Sequence, residues 1–153
     1  MILGRSAILL AAGCIIAQSA PAQERKITRQ DLPPAVARAV DARSQGATIR
    51  GFSEEKEDGR TYYEMELRVN GRTRDVTMDS SGAVIMVEEE VEFASLPAAV
   101  QAGLKSAAAT GRITLVESIA QGGQVVAYEA HVTTNGKRSE IKVGADGKVI
   151  TEP

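Results

Sequence analysis

Residues 62–71 read YYEMELRVNG, and residues 127–136 read AYEAHVTTNG. In the first stretch apolar and polar side chains alternate. Tyr63, Met65, Leu67 and Val69 fall on one side, and Tyr62, Glu64, Glu66 and Arg68 on the other. A period of two is the signature of a half-buried β-strand. The second stretch alternates in the same way, with Val126, Tyr128, Ala130 and Val132 against Ala127, Glu129, His131 and Thr133. Each ends in Asn-Gly, and both residues of that pair tolerate the positive φ that a two-residue hairpin turn demands. The sequence therefore predicts two hairpins, each with a buried face headed by a tyrosine.

The correspondence extends in both directions. Gly82 recurs as Gly147 and Val84-Ile85 as Val149-Ile150, all 65 residues apart like the two tyrosines. Upstream, Leu32-Pro33 recurs as Leu96-Pro97, and Gly46 as Gly111. Repetition at a fixed period means one structural unit used twice. Asp31 and Ser95 stand before Leu-Pro, where a helix cap and an early proline belong. Leu32, Val36, Ala39 and Val40 in one copy, and Leu96, Val100 and Leu104 in the other, follow helical spacing. Gly46 and Gly111 suit the helix ends. Strands are predicted over 48–55, 62–70, the return stretch after Asn70-Gly71, and 83–87. In the second copy they cover 112–120, the stretch around Tyr128, its return strand, and 148–151. The expected fold class is α+β: two tandem units of one helix plus a four-stranded antiparallel sheet, helices on one sheet face. The expected division is 1–22 as a leader, 23–90 as the first repeat and 91–153 as the second, with 88–95 as the link.

The leader reads as an export signal. One basic residue, Arg5, precedes an apolar run from Ala7 to Ala17 that is too short to span a bilayer. Ala20-Pro21-Ala22 supplies small residues for cleavage after Ala22. Ala11-Ala12-Gly13-Cys14 resembles a lipoprotein box, so lipid attachment at Cys14 is the alternative processing. Either way the chain is expected in the periplasm or outside the cell, with no transmembrane span in the mature part. Cys14 is the sole cysteine, so no disulfide is available within the chain. The net charge is −2, with 18 basic and 20 acidic residues of mixed placement. Nucleic-acid binding calls for a clustered basic surface, which is missing here.

The Leu-Pro helix start, the Tyr-Glu strand, the Asn-Gly turn and the glycine before a final Val-Ile together resemble the PepSY and PepSY-like families. In plan they are also similar to the β-lactamase-inhibitor-like proteins. The likeness runs from Leu32 to Ile150. It implies an exported domain that binds, and restrains or modulates, an envelope enzyme such as a peptidase. The aromatic residues are Phe52, Phe93, Tyr62, Tyr63 and Tyr128, with no tryptophan. Tight inhibitory interfaces lean on aromatic and arginine anchors, so this supply is thin.

Catalytic chemistry finds little footing. His131 is the one histidine, and no Gly-x-Ser-x-Gly or His-Glu-x-x-His accompanies it. One histidine without a mature-chain thiol cannot lead a zinc site, so His131 reads as a solvent-face strand histidine and neither a metal nor a cofactor is expected. Glu88-Glu89-Glu90-Val91-Glu92 reads as a solvated linker or a charged strand edge. The candidate binding residues lie on the polar side of the strands: Tyr62, Glu64, Glu66 and Arg68 in one copy, and Glu129, His131 and Lys142 in the other. The expectation is an exported, non-catalytic protein-binding module. A structural or small-ligand- or cation-sensing role is the alternative.

Overall fold

A computed structural model describes residues 23–151; the expected leader at 1–22 and Cys14 lie outside the described residues. The strands are β1 (Gln23–Ile27), β2 (Thr48–Glu57), β3 (Arg60–Val69), β4 (Arg72–Asp79), β5 (Val84–Glu90), β6 (Arg112–Gln121), β7 (Gln124–Thr134) and β8 (Lys137–Val143). Helix α1 (Pro34–Arg43) precedes β2, and α2 (Ala98–Ala108) precedes β6. All eight strands pair antiparallel with their neighbours in chain order, in one sheet.

This corrects the expected fold class. The chain does not form two helix-plus-four-strand units, and strand dominates over its two helices. Three features make the difference. Residues 88–90, expected in a link, continue β5 and pair with β6: Glu88 faces Ile119, Glu89 faces Ser118 and Glu90 faces Glu117. Their alternation with Met86 and Val87 lets the strand run on, and the ladder then crosses the expected boundary without a break. β1 was not foreseen; it adds to the outer edge of β2, placing Ile27 opposite Phe52. Finally, the strand expected at 148–151 shrinks to a single bridge between Val143 and Val149.

The hairpin turns follow the sequence. Asn70 and Asn135 have φ of 51° and 52°, each followed by a glycine at positive φ. The helix starts differ from expectation. Asp31 and Ser95 close short 3-10 turns at Arg29–Asp31 and Phe93–Ser95, and each α-helix begins after a proline, Pro33 or Pro97. The Asp31 carboxylate accepts bonds from the backbone N–H and hydroxyl of Thr28, at 2.8 and 2.7 Å. That reciprocal box anchors the chain between β1 and α1.

Both helices cover the same side of the sheet. Val36 and Val40 of α1 are fully buried with Tyr63, Met65, Leu67, Val76 and Met78. Val100 and Leu104 of α2 are buried with Val116, Ala130, Val132 and Val143. The alanine-rich helices are thin enough to sit on the glycine turns. A Cβ added at Gly147 would lie 2.1 Å from the Ala99 carbonyl oxygen, and one at Gly82 would lie 2.7 Å from that of Ala35. These two positions need glycine for closeness as well as for positive φ. Gly111 has a related duty: it leaves room for Val132 rather than ending α2 in a left-handed turn.

Candidate functional site: the open sheet face

With both helices on one side, the alternate residues of every strand face the other way. Cross-strand register places these residues in rows. Glu66 of β3 faces Asp75 of β4, which faces Glu88 of β5. One row along, Glu90 of β5 faces Glu117 of β6, which faces Glu129 of β7, which faces Lys142 of β8. Glu64 faces Thr77 and Ser53. With Glu24 of β1 opposite Glu55 of β2, the face holds five directly opposed carboxylate pairs, an arrangement that costs stability in a sheet.

The expected candidates separate into three groups. Glu64 and Glu66 stand within the acidic centre. Glu129, His131 and Lys142 gather at the β7–β8 end. Tyr62 lies towards the β2–β3 turn, buried at 5% exposure, with Asp79 and Glu55 as its cross-strand partners. Arg68 stays outside the acidic centre, because its guanidinium donates to the Gly71 carbonyl oxygen of its own turn at 2.8 Å. The polar face was expected to be wet, yet Glu88, Glu117 and Glu129 are each under 7% exposed and Lys142 is at 9%. Part of the reason is the apolar cluster of Met86, Ile119 and Ala127, with Ile150 packed against it. Ile119 sits directly opposite Glu88 on this face.

Burial beside like charges changes the protonation of the central acids. Removal from water, reinforced by Asp75, Glu88 and Glu66, pushes the Glu64 carboxyl up to about 8. Asp75 is pushed up to about 7 by burial and by Glu117 and Glu66. Burial likewise raises Glu129, although the Lys142 ammonium pulls it the other way. For Lys26 on β1, burial opposes the charge, but Glu66, Glu24 and Glu64 outweigh it and hold the ammonium above its usual range. Lys26 is ion-paired with Glu66. Its cross-strand partner is Ser53, which itself faces Glu64.

At the other end, His131 Nε2 lies 3.3 Å from Glu117 Oε2 and 3.8 Å from Glu129 Oε1. The hydrogen bond to Glu117 raises the imidazole pKa. Lys142 Nζ lies 3.5 Å from the second oxygen of Glu129. The hydroxyl of Thr73 donates to the second oxygen of Glu117 at 3.3 Å.

Sequence reasoning missed Asp75, Glu88, Glu90 and Glu117. Asp75 and Glu117 each lie one place from an inward-pointing valine, Val76 and Val116, a relation that assigns them to the open face only once the strand parity is fixed. β6 in addition shifts register between Ile113 and Leu115. Glu88 and Glu90 were assigned to a linker, so no face was assigned to them.

No known family profile matches the chain, and no curated protein is similar to it in sequence. Solved structures are similar in fold. A candidate periplasmic protein of Bacteroides eggerthii aligns with a TM-score of 0.63 at 17% identity, over 78% of this chain and 86% of the other. A DUF2874 family protein of Bacteroides ovatus gives 0.59 at 17% identity, over 78% and 85%. A BLIP-like protein of Bacteroides fragilis gives 0.54 at 23% identity, over 80% and 86%.

The chain has a BLIP-like fold. At these identities the likeness concerns the path of the backbone alone, shared with the DUF2874 structure. Within that BLIP-like frame, no helix among the described residues is long and apolar enough to cross a membrane.

Proposed function

We propose that the protein is a non-catalytic binding module of the periplasm whose open sheet face docks a lysine- or arginine-rich segment of another envelope protein. One observation carries this reading: six acids, Glu66, Asp75 and Glu88 in one row and Glu90, Glu117 and Glu129 in the next, stand directly opposed on one face of the sheet, with Glu64 beside them. Opposed carboxylates weaken the fold by themselves, so a cationic partner gains affinity from relieving them. Export, by cleavage after Ala22 or lipidation at Cys14, would bring the face into the envelope. The candidate periplasmic and BLIP-like neighbours support that compartment and a protein-binding role, and the paired Leu-Pro and Asn-Gly motifs support a PepSY-like descent. A modulator of an envelope enzyme, a peptidase among them, acts in this way, by occupying a basic surface.

The test is fluorescence anisotropy with a labelled ten-residue peptide of alternating lysine and alanine, against a glutamate-for-lysine control. Binding should weaken by at least about tenfold between 50 and 200 mM salt, since the Debye length falls from about 14 to about 7 Å. The double variant E64Q/D75N should bind more weakly, while a charge change on the helix side, Arg38→Gln, should leave affinity alone. Equal affinity for the two peptides, or an unaffected double variant, removes the proposal.

A further inference from the structure

At the β6–β7 end of the open face, three different side chains turn ligand atoms toward one another: Glu117 Oε2, Glu129 Oε1 and His131 Nε2. We propose that Glu117, Glu129 and His131 form a binding site for a first-row divalent cation of the Zn²⁺ type. The three ligand atoms lie within 4.8 Å of one another. Two ligands held about 2.0–2.1 Å from a tetrahedral zinc ion stand about 3.3 Å apart. The imidazole nitrogen is 3.3 Å from one carboxylate oxygen and 3.8 Å from the other, so small side-chain adjustments bring the set to coordination distance.

The oxygens that do not face the centre are already engaged. Thr73 Oγ1 lies 3.3 Å from Glu117 Oε1, sharing its one proton with Glu90 Oε2 at 3.2 Å, and Lys142 Nζ holds Glu129 Oε2 at 3.5 Å. Outer partners of this kind orient first ligands and tune metal affinity. Lys142 brings a positive charge, but it sits on the far oxygen of Glu129, and two carboxylates with a neutral imidazole still balance a divalent ion. The ligands stand on two adjacent strands of a continuous sheet. Glu117 directly opposes Glu129, and His131 lies two residues along the same face, so the backbone fixes their spacing. Both carboxylate side chains are under 10% exposed, while the imidazole, at 37%, leaves a path from solvent. An imidazole nitrogen suits zinc and its neighbours rather than Ca²⁺ or Mg²⁺, which prefer six or more oxygen ligands or several waters. Three protein ligands leave a fourth position for water or for a ligand atom from a partner.

The proposal stands apart from the docking reading. It needs only this end of the face, and a chain that binds Zn²⁺ but no basic peptide would refute that reading and leave this one standing. The experiment is calorimetric titration of the full chain with ZnCl₂ in a non-chelating buffer. Substitution by Co²⁺ is followed by its visible absorption, and the ¹⁵N resonances of the one histidine report on the site. One ion per chain should bind, the His131 Nε2 resonance should move, and Co²⁺ should give the intense visible band of a four- or five-coordinate site. His131→Gln and Glu117→Gln should each weaken Zn²⁺ binding by about tenfold or more. Glu129→Gln replaces Glu117→Gln if the latter does not unfold cooperatively. Absence of saturable binding, or binding that His131→Gln leaves unchanged, overturns the proposal.

Discussion

Replacing Glu64 by glutamine should make this protein more stable at neutral pH, and the gain should vanish in mild acid. The Glu64 carboxyl titrates at about 8 in the folded chain, against an ordinary value of 4.5, because burial beside Asp75, Glu88 and Glu66 disfavours its charge. An acid raised in this way keeps its proton in the fold and loses it on unfolding. Its cost is absent below about pH 4.5, grows as pH rises, and levels off above pH 8. At pH 7.5 the folded side chain holds a proton that the unfolded chain would have released three pH units earlier. At 1.36 kcal/mol per unit, that is a ceiling of about 4 kcal/mol. Glutamine has no such linkage, but its amide must be desolvated in the same place, which returns about half and leaves about 2 kcal/mol. Urea unfolding of the wild type and Glu64→Gln, followed by circular dichroism at pH 5.0 and 7.5, measures the difference directly. The gap between the two proteins should widen by about 1–3 kcal/mol from the lower to the higher pH. A wild-type stability that rises over this interval, or a variant equally or less stable at pH 7.5, would show that Glu64 is ionised in the fold.

Asp75→Asn should behave in the same sense, with its transition centred lower, because Asp75 titrates at about 7; the same unfolding series checks it. Gly147→Ala should cost several kcal/mol, because its Cβ would press on the Ala99 carbonyl at 2.1 Å as well as strain φ. Gly136→Ala, with positive φ but open space, should cost only about 1 kcal/mol; thermal unfolding of the pair separates clash from strain. Met65→Ala, fully buried in the first core, should lose about 2–5 kcal/mol in denaturant unfolding. Unfolding should be a single transition: the Met65 and Met78 methyl signals and the His131 ring signals should disappear at the same urea concentration. Two separate midpoints would mean that the β5–β6 ladder does not couple the halves.

The hairpins were legible because their signals are local. Alternation from Tyr62 to Val69 and the Asn-Gly pairs depend only on neighbours in the chain, and both turns appear where the residues put them. Helix positions were legible for the same reason, from Val36–Val40 and Val100–Leu104. The join was not. Whether Glu88–Glu90 leaves the sheet or continues β5 depends on a partner strand that begins at Arg112, and glutamate has no local preference strong enough to decide it. β1 failed for a similar reason, since Gln23–Ile27 is charged and shows no periodicity until Phe52 stands opposite Ile27. The candidate face was half legible. Period two placed Glu64, Glu66, Glu129 and His131 correctly on one side, but each strand read alone gave no hint that Asp75, Glu88 and Glu117 would stand beside them. The expectation of a wet face failed with the join, because a continuous sheet draws Ile119 and Met86 among the acids.

A sheet of this length has to solve a problem at its middle. Pairing β5 with β6 leaves two separate apolar cores side by side on the helix side but joins two polar faces into one, and the acids then meet. Three remedies are available on this face. Protonation serves Glu64 and Asp75; lysine and histidine partners serve Glu66, Glu117 and Glu129. The third is an external cation, whether an ammonium or guanidinium group or a metal ion. Acids neutralised by their own protons gain from exchanging those protons for a cation, whereas acids already matched by fixed lysines gain much less. The centre around Glu64 and Asp75 is therefore where a basic segment should bind with release of protons. Titration in buffers of different ionisation enthalpy should show proton release at pH 7 that shrinks in Glu64→Gln. Binding with no linked proton at neutral pH would place the docking energy elsewhere on the face.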